Sequence, residues 1–243
     1  MGFFEKFKED FILNFVEDQR WSWLVEGLVN TMIITALSLI IGIAIGVIVA
    51  IIRSTFDKNR EAYRKNGGAS YFLWWTVNAI CNLYLTVVRG TPVVVQLLIS
   101  YFIIFASSRN GVMIAVFAFG LNSGAYVAEI IRGGIMSIDN GQFEAGRSLG
   151  FNYVQTMIYI ITPQVFKTTL PTLCNEFIVL IKETSIAGYV GVMDLTKAGD
   201  RIRGITFSAF MPLIAVALIY LVVVVVLTQL VKILERRLRK NER

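Results

Sequence analysis

The sequence predicts an all-α membrane protein with about five transmembrane helices, an amphipathic helix near the N-terminus and a polar helix–turn–helix insert on the cytoplasmic side. Three observations carry that prediction. Hydrophobic residues make up 56% of the 243 and mean hydropathy is +0.65, which excludes an ordinary soluble domain and a disordered chain. The apolar residues gather into runs of the length a helix needs to cross hydrocarbon, about 20 residues. The net charge of +6 is concentrated between Arg53 and Lys65 and after Lys232, immediately beside apolar runs. That placement marks cytoplasmic loops of a membrane protein rather than a nucleic-acid surface.

The elements follow in order. Over residues 1–20, Phe4, Phe7, Phe11 and Phe15 recur at helical spacing, with Glu5, Glu9, Asp10, Glu17 and Asp18 between them. A cleaved signal peptide wants a basic start and an unbroken apolar run, and Gly2 lacks the Ser or Thr of a myristoylation signal. The pattern predicts an amphipathic helix on the bilayer surface, with Trp21 and Trp23 placed as an aromatic belt. Gly27 to Ile52 is the clearest span. Its Gly42 and Gly46 form a GxxxG pair, which either admits a neighbouring helix closely or reflects the tolerance of Gly in membrane helices. Arg53 to Lys65 holds five basic and two acidic residues and ends in the flexible turn Asn66-Gly67-Gly68. Tyr71 to Leu85 is aromatic but short and predicts an interfacial or elbow helix.

Pro92 to Ala106 reads as the second span and Val112 to Ile131 as the third. Asn122, Tyr126 and Glu129 share one face of the third, and Glu129 and Arg132 are spaced to pair with each other. Gln164 to Met193 is the fourth and weakest, interrupted by Lys167, Pro171, Glu176, Lys182 and Glu183. A re-entrant segment is the alternative there, because irregular backbone at depth is tolerated where protein or water surrounds it. Asp194 to Arg203 is polar, and Ile205 to Val231 forms the last span. The organisation is thus an interfacial helix over 1–20, a transmembrane domain over 21–235 and a basic cytoplasmic tail over 236–243. Five spans put the termini on opposite faces. With the tail inside, 14 Lys and Arg lie in cytoplasmic segments and seven outside, so the positive-inside rule predicts an external N-terminus.

The insert over 139–163, DNGQFEAGRSLGFNYVQTMIYIITP, is the polar interruption around which the chain is organised. Asp139 can cap a first helix with Gln142 in capping-box register. Gly150 stands where a left-handed residue ends a helix, a conformation cheap for Gly. Asn152 and Gln155 repeat the capping pattern, and Pro163 stops the second helix or opens the next element. A DNA-reading helix would be basic. Besides Asp139, this insert carries Glu144 and Arg147 as its formal charges, so nucleic acid is not expected.

The spacing Glu144-Ala145-Gly146, Gly150, Ile160 and Pro163 resembles the EAA coupling loop of membrane subunits of ATP-binding cassette (ABC) importers, with Gly146 in place of the second Ala and Thr162 in place of a Leu. The flanking Arg89-Gly90-Thr91-Pro92, Leu121-Asn122-Ser123-Gly124-Ala125-Tyr126, Asn175-Glu176-Phe177 and Lys182-Glu183-Thr184-Ser185 are similar to permease subunits of polar amino acid importers, over most of residues 20–235. The resemblance implies a permease subunit in a bacterial inner membrane, importing polar amino acids. It implies two permease subunits, identical or related, two ATPase subunits that bind ATP and Mg, and an external substrate-binding protein. Glu144, Ala145, Gly146, Gly150 and Pro163 would contact or shape the contact with the ATPase. Asn122, Ser123, Glu176, Glu183, Thr184 and Ser185 would border the substrate path.

The residues themselves support that division of labour. Ionisable groups inside a span are costly and line cavities or pair with one another. Glu176 and Glu183, seven apart, share a helical face and suit an ammonium group or a basic side chain, and Asn122 and Ser123 suit a carboxylate or a side-chain amide. A salt bridge between Lys182 and Glu183, or between spans, is the alternative. No G-x-x-x-x-G-K-[ST] loop occurs, so no nucleotide cradle and no enzymatic role are expected of this chain. Cys81 and Cys174 are far apart in apolar surroundings and His is absent, which leaves no metal site to expect. A self-contained secondary transporter or channel is the competing class. It would call for an internal inverted repeat, and no second copy of either half is apparent.

Overall fold

The computed structural model describes residues 2–66, 68–108 and 110–240, and among them every regular element is helical. The helices are α1 (Phe3–Phe11), α2 (Trp21–Asn66), α3 (Gly68–Gly90), α4 (Val93–Ile99), α5 (Gly111–Ser137), α6 (Asn140–Ser148), α7 (Tyr153–Thr156), α8 (Thr162–Glu183), α9 (Leu195–Thr206) and α10 (Phe210–Lys240). π-turns at Ile12–Val16, Ser100–Ile104 and Met157–Ile161 extend α1, extend α4 and join α7 to α8.

Among the described residues four helices are long and apolar enough to cross a membrane: Trp21–Glu61, Ser70–Gly90, Gly111–Ser137 and Phe210–Leu238. The expected fourth span, α8, has the length at 22 residues but carries Lys167, Glu176, Lys182 and Glu183. It is helical to Glu183 and continues as a 3₁₀ turn to Val190, not as irregular re-entrant backbone. Two assignments change places. Tyr71 to Leu85 belongs to a 21-residue membrane-length helix, not a short elbow, because Gly68–Ser70 and Thr86–Gly90 continue its pattern. Pro92 to Ala106 is too short to span, with Val93–Ile104 its apolar helical part. The basic stretch after Ile52 is no loop either. α2 runs through it to Asn66, burying Ser54 and Phe56.

The chain forms two compact units. The first comprises the segment ending at Ser38, Val93–Phe119 and Phe177–Leu230. Its core is Leu24 from α2, Leu195, Ala198 and Ile202 from α9, and Val216 from α10. The polar stretch after Asp194 is therefore an amphipathic helix. Asp194, itself fully buried, caps it by accepting from the Thr196 and Lys197 amides at 2.9 and 3.2 Å. Thr31 Oγ1 accepts from the Leu195 amide at 3.1 Å, and Asn30 donates to the Met193 carbonyl at 2.9 Å. The expected N-terminal helix forms and exposes Phe4, Phe7 and Phe11. Its end is pinned where the Thr206 hydroxyl donates to buried Asn14 at 2.8 Å, and Asp18 and Gln19 turn the chain into α2 with φ of 51° and 52°.

The second unit comprises Leu39–Pro92, Gly120–Glu176 and the segment from Val231 onward. Val49, Cys81, Leu85, Ala125 and Ala128 make its first apolar core, joining α2, α3 and α5. Small residues set the approach of α2 to α5. A Cβ on Gly42 would lie 2.9 Å from Ser123 Oγ, and one on Gly46 would lie 2.5 Å from Val127 Cγ1. Both glycines are packing residues, which closes the choice left open by sequence.

Candidate functional site

The insert is built as its capping residues dictate, with two differences. Asp139 Oδ1 accepts from the Gly141 amide at 2.6 Å and starts α6. Gln142 enters through its backbone, donating to the Asp139 carbonyl at 3.1 Å. Gly150 is left-handed at φ +83°, with its amide donating to the Arg147 carbonyl at 2.9 Å. The capping box of Asn152 and Gln155 forms in both directions, at 2.9 Å each. Pro163 does not stop the second helix. Its missing N–H and its ring conflict with the carbonyl four residues back, and the chain absorbs this by widening into the π-turn at Met157–Ile161 just before it. The second arm of the insert therefore runs continuously into α8.

Gly146 explains its own departure from the Ala of the resembling motif. It is buried where α6 meets the second arm, and a Cβ there would come within 2.7 Å of Thr156 Cγ2 and 3.1 Å of Ile160 Cδ1. Phe143 is buried with Ile135, Ile161 and Val165 and holds α6 against α5 and α8. Glu144, Ala145, Arg147, Leu149 and Gly150 face outward, Leu149 with 73% of its surface exposed. Leu149 thus stands at the exposed tip of the insert beside the charged Glu144 and Arg147.

What sequence reasoning missed is the support beneath that tip. Lys58, on the part of α2 expected to be a loop, donates to Asn140 Oδ1 at 2.8 Å and stands 4.0 Å over the Phe143 ring. The Tyr153 hydroxyl reaches Thr55 Oγ1 at 3.5 Å. Lys58, Asn59, Asn140, Phe143, Glu144, Arg147, Tyr153 and Thr156 line a cavity of about 310 Å³. Farther along, Arg53 donates to Glu129 at 2.7 Å, Arg132 donates to the other Glu129 oxygen at 3.0 Å, and Arg132 meets Asp57 at 3.5 Å. The expected pairing of Glu129 with Arg132 is present, inside a larger network. The signal available in the sequence was the four-residue spacing of Arg53 and Asp57, which continues a helical face past Ile52.

The expected path residues separate into two groups. In the second unit, Asn122 and Ser123 are buried, and Ser123 Oγ donates to Glu176 Oε1 at 3.4 Å. Nearby, the Tyr84 hydroxyl donates to the Leu121 carbonyl at 2.6 Å, and Arg89 lies 5.6 Å from the Tyr126 ring centre. In the first unit, Thr184 is fully buried with its hydroxyl on the Ile181 carbonyl at 2.7 Å, while Glu183 and Ser185 are half-buried and Lys182 is exposed. Among the described residues no cluster of three or more Cys, Asp or Glu could hold a metal ion.

Membrane-length helices joined by a capped, outward-facing helix pair define a class: a multi-pass helical membrane protein with an exposed helix-pair insert. The chain belongs to the binding-protein-dependent transport system inner membrane component family, whose profile matches residues 67–240. It is 37% identical over 224 residues to the arginine transport system permease protein ArtQ of Bacillus subtilis, covering 90% of this chain and 94% of that one. It is also 37% identical over 221 residues to the glutamine transport system permease protein GlnP of Escherichia coli, covering 89% and 93%. The crystal structure of an amino acid ABC transporter with histidines superposes with a TM-score of 0.77 at 35% identity, covering 92% of this chain and 98% of that one. The MetNI methionine ABC transporter in an inward-facing conformation shares the fold, with a TM-score of 0.73 at 19% identity over 90% and 97% of the two chains. The chain is thus a multi-pass membrane permease subunit of the ABC importer class, a class that operates with ATPase subunits and a substrate-binding protein.

Proposed function

We propose that this chain forms the membrane path of an ATP-driven importer for polar amino acids, with ATP and Mg held by a separate ATPase that docks on the insert. The observation that carries this reading is the insert itself. Its tip, Glu144 to Gly150, is exposed apart from Gly146, while Phe143, Lys58 and Tyr153 fix its base. A load applied at the tip therefore reaches the helices, the requirement for a part that converts closure of a partner into movement of a bundle. Arginine and glutamine, named for the two relatives, are both polar amino acids, and the Ser123–Glu176 pair offers a carboxylate for an ammonium group. Glu144, Ala145, Gly146, Gly150 and Pro163 form or shape the ATPase contact. Asn122, Ser123, Glu176, Glu183, Thr184 and Ser185 border the path.

The proposed orientation puts the insert and the tail in the cytoplasm. With α3 crossing in place of the α4 segment, Arg89 moves to the outer face. The inner segments still hold the five basic residues of 53–65, Arg132, Arg147 and the six from Lys232 onward, so the bias keeps its sign. A second permease copy or relative and an external binding protein complete the assembly. The test is Gly150→Val. A β-branched residue at φ +83° is a strained outlier, so co-purification of the ATPase subunit and substrate-stimulated ATP hydrolysis are expected to fall at least tenfold. A complex that assembles and hydrolyses at the wild-type rate would remove the insert from the docking role.

A further inference from the structure

Three elements of the second unit meet in a closed loop. α5 leads covalently through Ser137, Ile138 and Asp139 into α6. α6 is tied to α2 by Lys58, which bonds Asn140 and covers Phe143. α2 is tied back to α5 by Arg53–Glu129 at 2.7 Å and Asp57–Arg132 at 3.5 Å, with Glu129–Arg132 at 3.0 Å bridging the two along α5. Two rods meeting at a loop can hinge, whereas three members joined on three sides cannot. Arg53 and Asp57 are one turn apart on α2, as Glu129 and Arg132 are on α5, so the third side has two attachment points and resists twist as well as separation.

We propose that the Arg53–Glu129–Arg132–Asp57 network is the clamp that makes α2, α5 and the insert move as one piece, so that displacement at α6 is delivered to the helix pair carrying Asn122 and Ser123. These four are positioning residues. None belongs to the exposed tip at Glu144–Gly150, and none belongs to the proposed substrate path. Their side chains retain between 17% and 31% of their surface, so the pairs are shielded from the full screening that weakens surface bridges. Glu129 is the shared member, bonded through both oxygens, and its loss opens the Arg53 link to α2 and the Arg132 link along α5 at once, leaving Asp57–Arg132 as the single attachment. Guanidinium forks make such links directional in a way that single apolar contacts do not.

This inference rests on the importer reading, and the experiment separates the two. The complete complex, permease with ATPase, is reconstituted in liposomes with glutamine or arginine and its binding protein outside and ATP inside. Amino acid taken up per ATP hydrolysed is the readout. Glu129→Gln is expected to leave ATPase binding and hydrolysis within about twofold while uptake per ATP falls about three- to tenfold, the range by which residues between two sites modulate coupling. Arg53→Met is expected to behave alike, and Arg53→Lys, which keeps the charge, to recover most of the ratio. Asp57→Asn, at the most exposed position of the network, is the reporter where Glu129→Gln does not assemble, with a fall of about threefold expected. An unchanged ratio in every assembled variant, or no difference between Arg53→Lys and Arg53→Met, overturns the clamp. A wild-type complex that hydrolyses ATP without ATP-dependent uptake overturns the importer reading on which the clamp stands.

Discussion

Replacing Gly46 by Ala tests the seam between α2 and α5 most directly. The added Cβ would lie 2.5 Å from Val127 Cγ1, 2.7 Å from Val127 Cβ and 3.0 Å from the Ala128 amide nitrogen. The last two are not flexible ends, since they move only with α5 itself. Restoring 2.7 Å to the 3.4 Å of ordinary van der Waals contact requires the helices to part by roughly 0.7 Å. That movement loosens Gly42 against Ser123 and stretches the Arg53–Glu129 bond beyond 2.7 Å. Against atoms that move only with the helix, overpacking falls in the upper part of its usual range, about 2–3 kcal/mol, and the gain in helix propensity returns about 1 kcal/mol. The net loss of about 1–2 kcal/mol corresponds to a fall in Tm of about 2–8 °C for a chain of this size. Thermal unfolding of the detergent-purified protein measures it. Adding Val127→Ala removes the nearest atom and is expected to recover part of the loss. A Gly46→Ala variant with an unchanged or raised Tm would refute the close-approach reasoning and return Gly46 to mere tolerance.

Two further predictions concern the first unit. Thr206→Val withdraws the donor from Oδ1 of fully buried Asn14, which costs about 1–3 kcal/mol. Hydrogen exchange over residues 3–16 is expected to accelerate about tenfold or more while α5 is unchanged, and equal rates would show that this contact does not hold α1. Asp194→Ala strips two amides of their acceptor at the start of α9 and is expected to cost about 1–2 kcal/mol, read as a lowered Tm, whereas Asp194→Asn keeps most of the stability. If Asn and Ala behave alike, the cap is not what Asp194 supplies.

The insert was legible because its shape is specified locally. Asp139, Gly150 and the Asn152–Gln155 box each act on backbone groups within three residues of themselves, so reading them required no knowledge of the neighbours. Of the two readings of Pro163, the opening of the next element holds, since it is the second residue of α8. A proline is a helix stop only if nothing else compensates, and here a single π-turn does. The error lay at Arg53–Lys65. Charge next to a span was read as a loop, yet charge sets which face of a membrane a segment occupies and says nothing of its secondary structure.

By itself the sequence determined that this chain lies in a membrane, that it carries a paired-helix insert between its third span and α8, and that its acidic residues within α5 and α8 require partners. Hydropathy, capping and the cost of burying charge are properties of single segments, so a linear reading suffices for them. Tertiary structure alone decided the partners that come from other segments. Glu129 meets Arg53 from 76 positions away, Gly46 meets Val127, and Lys58 seats α6 on an extension of α2. Contacts between distant segments depend on how helices pack, and packing depends on complementary shapes contributed by both sides at once.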